Sequence, residues 1–160
     1  MAVDFFLKLD GIKGESKDSK HKDEIDLLAW SWGLTQQGNV HLGGGSGAGK
    51  ANCQDISATK YVDLSSPVIA RFCASGKHIK EANLVVRKAG DKPLEYMKIK
   101  LTDVLISSYQ TGGSSGDDRI IESLSLNFAK VEYQYFTQAA SGAADKDEKM
   151  MFNAQDQTWS

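Results

Sequence analysis

"LEYMKIKLTDVLISSYQ", residues 94–110, and "RIIESLSLNFAKVEYQYF", residues 119–136, decide the fold. In the first, Met97, Ile99 and Leu101 alternate with polar neighbours in one phase, and Val104 and Ile106 continue in the other. In the second, Leu124, Leu126 and Phe128 give way to Val131, Tyr133 and Tyr135. A period of two is that of a strand on a half-buried sheet. A one-residue slip of that period predicts β-bulges at Thr102–Asp103 and Ala129–Lys130. Such bulges would let two long strands curve around a barrel. "TGGSSGDD", residues 111–118, reads as the loop that joins them.

Working outward, "VDFFLKL" (3–9) is a strand with Val3, Phe5, Leu7 and Leu9 inward and Asp4 and Lys8 outward. The charged, Gly- and Ser-rich "DGIKGESKDSKHKDE" (10–24) predicts an exposed loop. "IDLLAWSWGL" (25–34) is read as one strand. One face carries Ile25, Leu27, Ala29, Ser31 and Gly33, and the other carries Leu28, Trp30, Trp32 and Leu34. The tryptophans are expected to anchor the core. The Ala29/Ser31 surface is small, which suits solvent, a cavity or close approach of another surface. "CQDISATKYVDL" (53–64) is a further strand, with Ile56, Ala58 and Val62 opposing Gln54, Asp55, Ser57 and Thr59.

One segment, about 65–76, reads as helix. Ser65 or Ser66 can cap it, Pro67 suits its first turn, and Val68, Ile69, Phe72 and Cys73 share a face. Gly76 fits the left-handed position after the last turn. "ANLVVRKA" (82–89) is a strand, 138–147 a polar loop, and "KMMFNA" (149–154) a final short strand. There is no internal repeat. The expected fold is mainly β: a small β-barrel or two-sheet sandwich with one packed helix, in a single domain spanning 1–160.

A formal net charge of −2 gives no basic surplus, which argues against a nucleic-acid or membrane partner. "MAVDFFLKLDG" does not read as a signal peptide, since Asp4 and Lys8 interrupt its apolar residues. The chain is therefore expected to start in the cytoplasm. Cys53 and Cys73 form no motif and are expected to be reduced and structural. Gly44-x-x-x-x-Gly49-Lys50 resembles a phosphate-binding loop, but Ala51 stands where magnesium needs a Ser or Thr. "QQGNVHL" before it is too polar for a buried strand, and the segment after it reads as strand rather than helix. His21, His41 and His78 lie far apart with no zinc spacing. Asp23–Glu24 and Asp117–Asp118 are read as water-facing carboxylates, and "KDSKHK" as a solvated face. No catalytic residue, cofactor or metal is expected.

Taken together, "FFLKLDGIKGESKDSKHKDEIDLLAWSWG", "GGGSGAGK", "QDISATKYVDLSSP", "ASGKHIKEANLVVRKAG", "PLEYMKIKLTDVLISS" and "SLNFAKVEYQY" closely resemble the haemolysin-coregulated protein family of type VI secretion systems. "MFN", with Phe152 and Asn153, loosely resembles the family's closing strand. The resemblance implies a non-enzymatic β-barrel with one helix, assembled as a six-fold ring. Rings stack head-to-tail into a hollow tube that a contractile sheath drives out of a Gram-negative bacterium. The implied partners are further copies of the chain and the sheath, spike and effector proteins. The implied location is cytoplasmic when assembled, then secreted through the type VI apparatus. The family's hairpin that projects to the neighbouring ring matches Gly43, Gly44, Gly45, Ser46, Gly47, Ala48, Gly49 and Lys50. Ala29 and Ser31 either line the ring's hole and contact effectors or lie beneath the helix. The competing expectation is a monomeric β-sandwich that binds a ligand such as carbohydrate.

Overall fold

The computed structural model describes residues 2–38 and 49–160. Alternating apolar residues build the long strands: β1 (Val3–Leu9), β6 (Ile56–Tyr61), β7 (Ile79–Lys88), β8 (Leu94–Gly112), β9 (Ile121–Gln138) and β10 (Ala144–Asn153). The short strands are β2 (Ile25–Leu27), β3 (Ala29–Ser31), β4 (Leu34–Gln36), β5 (Ala51–Cys53) and β11 (Thr158–Trp159). The helix α1 runs Ser66–Ser75.

Every strand pairing is antiparallel. β1 pairs with β2 and β7, β7 with β8, β8 with β9, β9 with β6, and β6 with β3. β2 and β3 are separated only by Leu28, whose N–H donates to Thr59 O at 2.7 Å. The circuit therefore closes, and the fold is a barrel. Leu7, Leu9, Ile25, Ile56, Ile99, Leu101, Val104, Ile106, Leu124, Leu126 and Val131 fill it. β10 extends the sheet along the second half of β9, and β4 and β5 form a separate hairpin.

The expected phase slips are present in the burial. Leu101 and Val104 are both buried, as are Phe128 and Val131. They are not bulges between the two strands, however. Leu101 faces Val131 and Val104 faces Phe128 in unbroken register, so both strands kink together. Asp103 supplies the turn with φ +54°. The register shift between β8 and β9 lies further on, between Ile106 and Ser108. The kink falls where β9 changes partner, from β6 (up to Leu126) to β10 (from Lys130).

Other expectations need correction. The strand expected over 25–34 breaks at Leu28. Ile25 and Leu27 are buried, Leu28 is exposed, and Trp30 and Trp32 pack against the core in the opposite phase. Gln54 and Asp55 divide the strand expected over 53–64, Val62 is exposed, and Lys60 takes the inward position. Val3 is exposed, while Phe6, on the outward phase of β1, is buried. The helix has neither proposed side-chain cap. Ser65 Oγ donates to Asp63 instead, and Ser66 Oγ to Glu122. Its apolar face is as expected, with Ile69 buried and Val68, Phe72 and Cys73 against the core. Gly76 closes it at φ +67°. The loop 10–24 is exposed at most of its positions, as expected, but it also packs inward, burying Ile12, Gly14, Ser16 and His21. The last strand begins earlier than expected, at Ala144, and a further strand, β11, follows it.

Candidate functional site

β3, β6, β9 and the second half of β8 form a four-strand sheet whose inner side is core. Ile56, Ala58, Leu124, Leu126 and Ile106 point inward. Strand alternation then puts every second residue on the outer side. The register aligns them in two rows: Ser31, Ser57, Ser125 and Ser108 in one, Ala29, Thr59, Ser123 and Gln110 in the other. All are exposed or half-exposed. Neither row carries a charge. The serines bond across strands, with Ser125 Oγ lying 2.7 Å from Ser107 Oγ and 2.5 Å from Ser108 Oγ. At one end Asp55 accepts from Ser107 Oγ at 2.6 Å and from Asn127 Nδ2 at 2.8 Å.

Ala29 and Ser31 are thus on an open surface rather than beneath the helix. The break at Leu28 is the reason: it moves them off the face that Ile25 and Leu27 bury. Sequence reasoning found these two residues and missed the other six of the two rows. The signal was available in "SLSLN", residues 123–127, where small polar residues alternate with leucine.

Beneath the outer rows lies a buried ionic cluster that the sequence reading did not anticipate. Lys60 is fully buried and Glu122 is 1% exposed. Lys60 Nζ donates to Asp63 Oδ1 at 2.9 Å, to Ser66 Oγ at 3.2 Å, and to Glu122. Glu122 also accepts from the hydroxyls of Ser66 and Tyr109. Burial, then the carboxylate of Glu122, pushes the Tyr109 hydroxyl up to about 12, so it stays a donor. The cluster fixes the start of α1 to the back of the sheet.

Two strand edges flank the four-strand face. β3 pairs with β6 alone, and β8 beyond Val104 pairs with β9 alone among the described residues. Of the hairpin assigned to ring stacking, Gly43 to Ala48 lie outside the described residues. Gly49 and Lys50 lead directly into β5, whose Ala51 N–H donates to Gln157 Oε1 at 3.1 Å. A strand after Lys50, where a phosphate loop requires a helix, agrees with setting that reading aside. The letters Gly112-x-Ser114-x-Gly116 run from the last residue of β8 into the loop before the antiparallel β9, not at the strand-to-helix turn of a nucleophile elbow. Cys53 and Cys73 are free and half-buried. Among the described residues no cluster of three or more His, Cys, Asp or Glu could hold a metal ion. None of their helices is long and apolar enough to cross a membrane.

Residues 6–135 match the family model described as type VI secretion system effector, Hcp. Protein hcp1 of Pseudomonas aeruginosa is 55% identical over 146 residues, covering 91% of this chain and 90% of that one. Among solved structures, Hcp1 from Salmonella typhimurium superposes with a TM-score of 0.83 at 37% identity, covering all of both chains. A structure described as a type six secretion system protein gives a TM-score of 0.91 at 30% identity, covering 99% of this chain and 100% of that one.

Proposed function

The chain belongs to the Hcp family of type VI secretion system effectors, and we propose that it is the subunit of a secreted tube. Six copies close into a ring, rings stack head-to-tail, and effectors travel in the hole. The observation that carries this reading is the four-strand face with its two uncharged rows and, among the described residues, an edge without a strand partner on each side. Across β3, β6, β9 and β8 the strand direction alternates, so β8 runs antiparallel to β3. The β3 of one copy laid along the free part of the next copy's β8 therefore continues the sheet in the same antiparallel sense. Because the sheet has an even number of strands, the alternation continues across the junction, and rotation makes every junction the same. A heterologous contact gives a ring when its rotation closes. The unpaired backbone groups of both edges supply its hydrogen bonds.

In such a ring Ala29, Ser31 and the other residues of the two rows line the hole. Short hydroxyls without charge bind cargo of either sign weakly enough to let it move. The hairpin at Gly43–Lys50 reaches the neighbouring ring, the sheath surrounds the tube, and the spike sits at its end. Assembly takes place in the cytoplasm, and the subunits leave through the apparatus itself.

Light scattering on the purified protein is expected to give a mass near six subunits, and negative-stain imaging to show rings. A monomer would instead favour the ligand-binding sandwich. Replacing Gly47 and Gly49 with valine should leave rings but reduce stacks. At Gly49 an added Cβ would already lie 3.1 Å from Gln36 Oε1 and 3.2 Å from Gln37 O, so that change also perturbs the hairpin base.

Ser31→Gln tests the lining. Six longer side chains narrow the hole at one level, so effector retention should fall several-fold while ring mass stays unchanged. Equal effector co-purification with the variant would remove Ser31 from the lining.

A further inference from the structure

Gln157 holds a backbone conformation that its residue type seldom takes. It is the last residue of the turn between β10 and β11, Ala154 to Gln157, and its φ is +59°. Glycine or asparagine suits such a position, because most other side chains crowd the backbone there. A glutamine in the left-handed region persists only where its surroundings hold it. The turn alone does not require a glutamine, so the explanation lies with the side chain.

Both polar atoms of that side chain are engaged. Nε2 donates to Ala154 O at 3.2 Å, within the turn. Oε1 accepts from the N–H of Ala51, the first residue of β5, at 3.1 Å and 106 residues away in the chain. β4 and β5 pair with each other and not with the main sheet. Among the described residues, the Gln157–Ala51 bond is the one hydrogen bond that ties their hairpin to another strand or turn. The turn itself is fixed to the barrel. Ala154 N–H donates to Ala129 O at 2.8 Å, at the kink of β9. Met151 and Ser160 exchange backbone bonds at 2.9 and 3.0 Å, which hold β11 along β10. Ala51 and Cys53 touch the core from one side. Two hollows, each of about 400 Å3, share Ala51 and Gln157 as walls. One opens toward Asp55, Asp103 and Ala129, the other toward Lys50, Phe152 and Trp159. The bond therefore bridges open space rather than reinforcing a packed contact.

We infer that Gln157 is a bracket whose amide sets the angle of the β4–β5 hairpin against the barrel. Its consequence for assembly rests on the reading that this hairpin reaches the neighbouring ring. A hairpin free to swing about its base takes many orientations, and ordering it on contact costs conformational entropy. Held in advance at Ala51, directly after Lys50, it meets the next ring already oriented. Gln157 thus favours stacking by positioning the hairpin.

Gln157→Gly and Gln157→Ala separate this role from that of a turn residue. Glycine relieves the backbone and removes the amide, whereas alanine removes the amide and leaves the backbone crowded. If the turn alone mattered, glycine would be neutral or stabilising, and only alanine would be felt. The bracket predicts the same response in both. Hydrogen exchange read by mass spectrometry on the assembled protein measures it. Protection of peptides covering 34–36 and 50–53 should fall about threefold to tenfold, the contribution of one ordinary hydrogen bond, with β7 and β8 unchanged. In negative-stain images the stacked fraction of rings should fall several-fold at unchanged ring mass. Wild-type protection of the hairpin base in Gln157→Gly overturns the inference, as does a loss spread evenly over the whole chain. A loosened base with an undiminished stacked fraction overturns its consequence for assembly. Wild-type rings that never stack would instead count against the stacking reading, and exchange at 50–53 would still decide the bracket.

Discussion

Lys60→Met is expected to destabilise the subunit by about 3–5 kcal/mol, the usual cost of removing one partner of a buried ion pair. The measurement is the shift in denaturation midpoint at constant slope. Lys60 is completely buried and spends its donors on Asp63, Ser66 and Glu122. Methionine fills the same volume, so packing is largely kept. What remains is the Glu122 carboxylate, 1% exposed and held only by two hydroxyls. An uncompensated charge in that position is expensive because the interior cannot solvate it. The double variant Lys60→Met/Glu122→Leu removes both charges and should recover most of the loss. A single variant within about 1 kcal/mol of wild type would show that the Glu122 carboxylate is not left uncompensated in the core.

Gly14→Ala is expected to cost about 1–3 kcal/mol, the range for forcing atoms into a packed site. The backbone at Gly14 approaches that at Glu24 and Ile25 here without room for a side chain. An added Cβ would overlap the Glu24 carbonyl, lying 2.8 Å from its carbon and 2.9 Å from Ile25 Cα. Both obstacles are backbone, so no rotamer change relieves them. Separating the two segments also strains the Ser16–Glu24 and Gly14–Asp23 hydrogen bonds. Gly116→Ala is the control. A Cβ there meets nothing within 4 Å, and the change should stay within about 0.5 kcal/mol. Equal effects of the two substitutions would show that the overlap at Gly14 costs nothing, because the unfolded-chain effect of Gly→Ala is shared by both positions and favours folding.

Much of the fold could be read from period alone. Leu124, Leu126 and Phe128 followed by Val131 mark a strand that changes phase, because only a backbone kink lets both sets reach one core. The helix was equally legible, since Val68, Ile69, Phe72 and Cys73 repeat at helical spacing and Gly76 takes the left-handed turn. The candidate face was legible only in part. Ala29 and Ser31 stood out for their size, but Ser57, Thr59, Ser123, Ser125, Ser108 and Gln110 become one surface only through strand register. That register pairs residues far apart in the chain, and period carries no such information.

By itself, then, the sequence determined a mainly β chain with one helix, the level at which its longest strands bend, and a family resemblance that the comparisons bear out. Alternation and helical spacing are local properties, fixed by which side chains prefer the core. Tertiary structure decided the rest. A lysine in a strand ordinarily reads as outward, yet Lys60 turns inward because Glu122, 62 residues later, meets it there. A charged loop ordinarily reads as solvated, yet 13–24 folds down because Arg87 and Glu95 lie beneath it. In each case the deciding partner is distant in sequence, and only the closed barrel brings the two within reach.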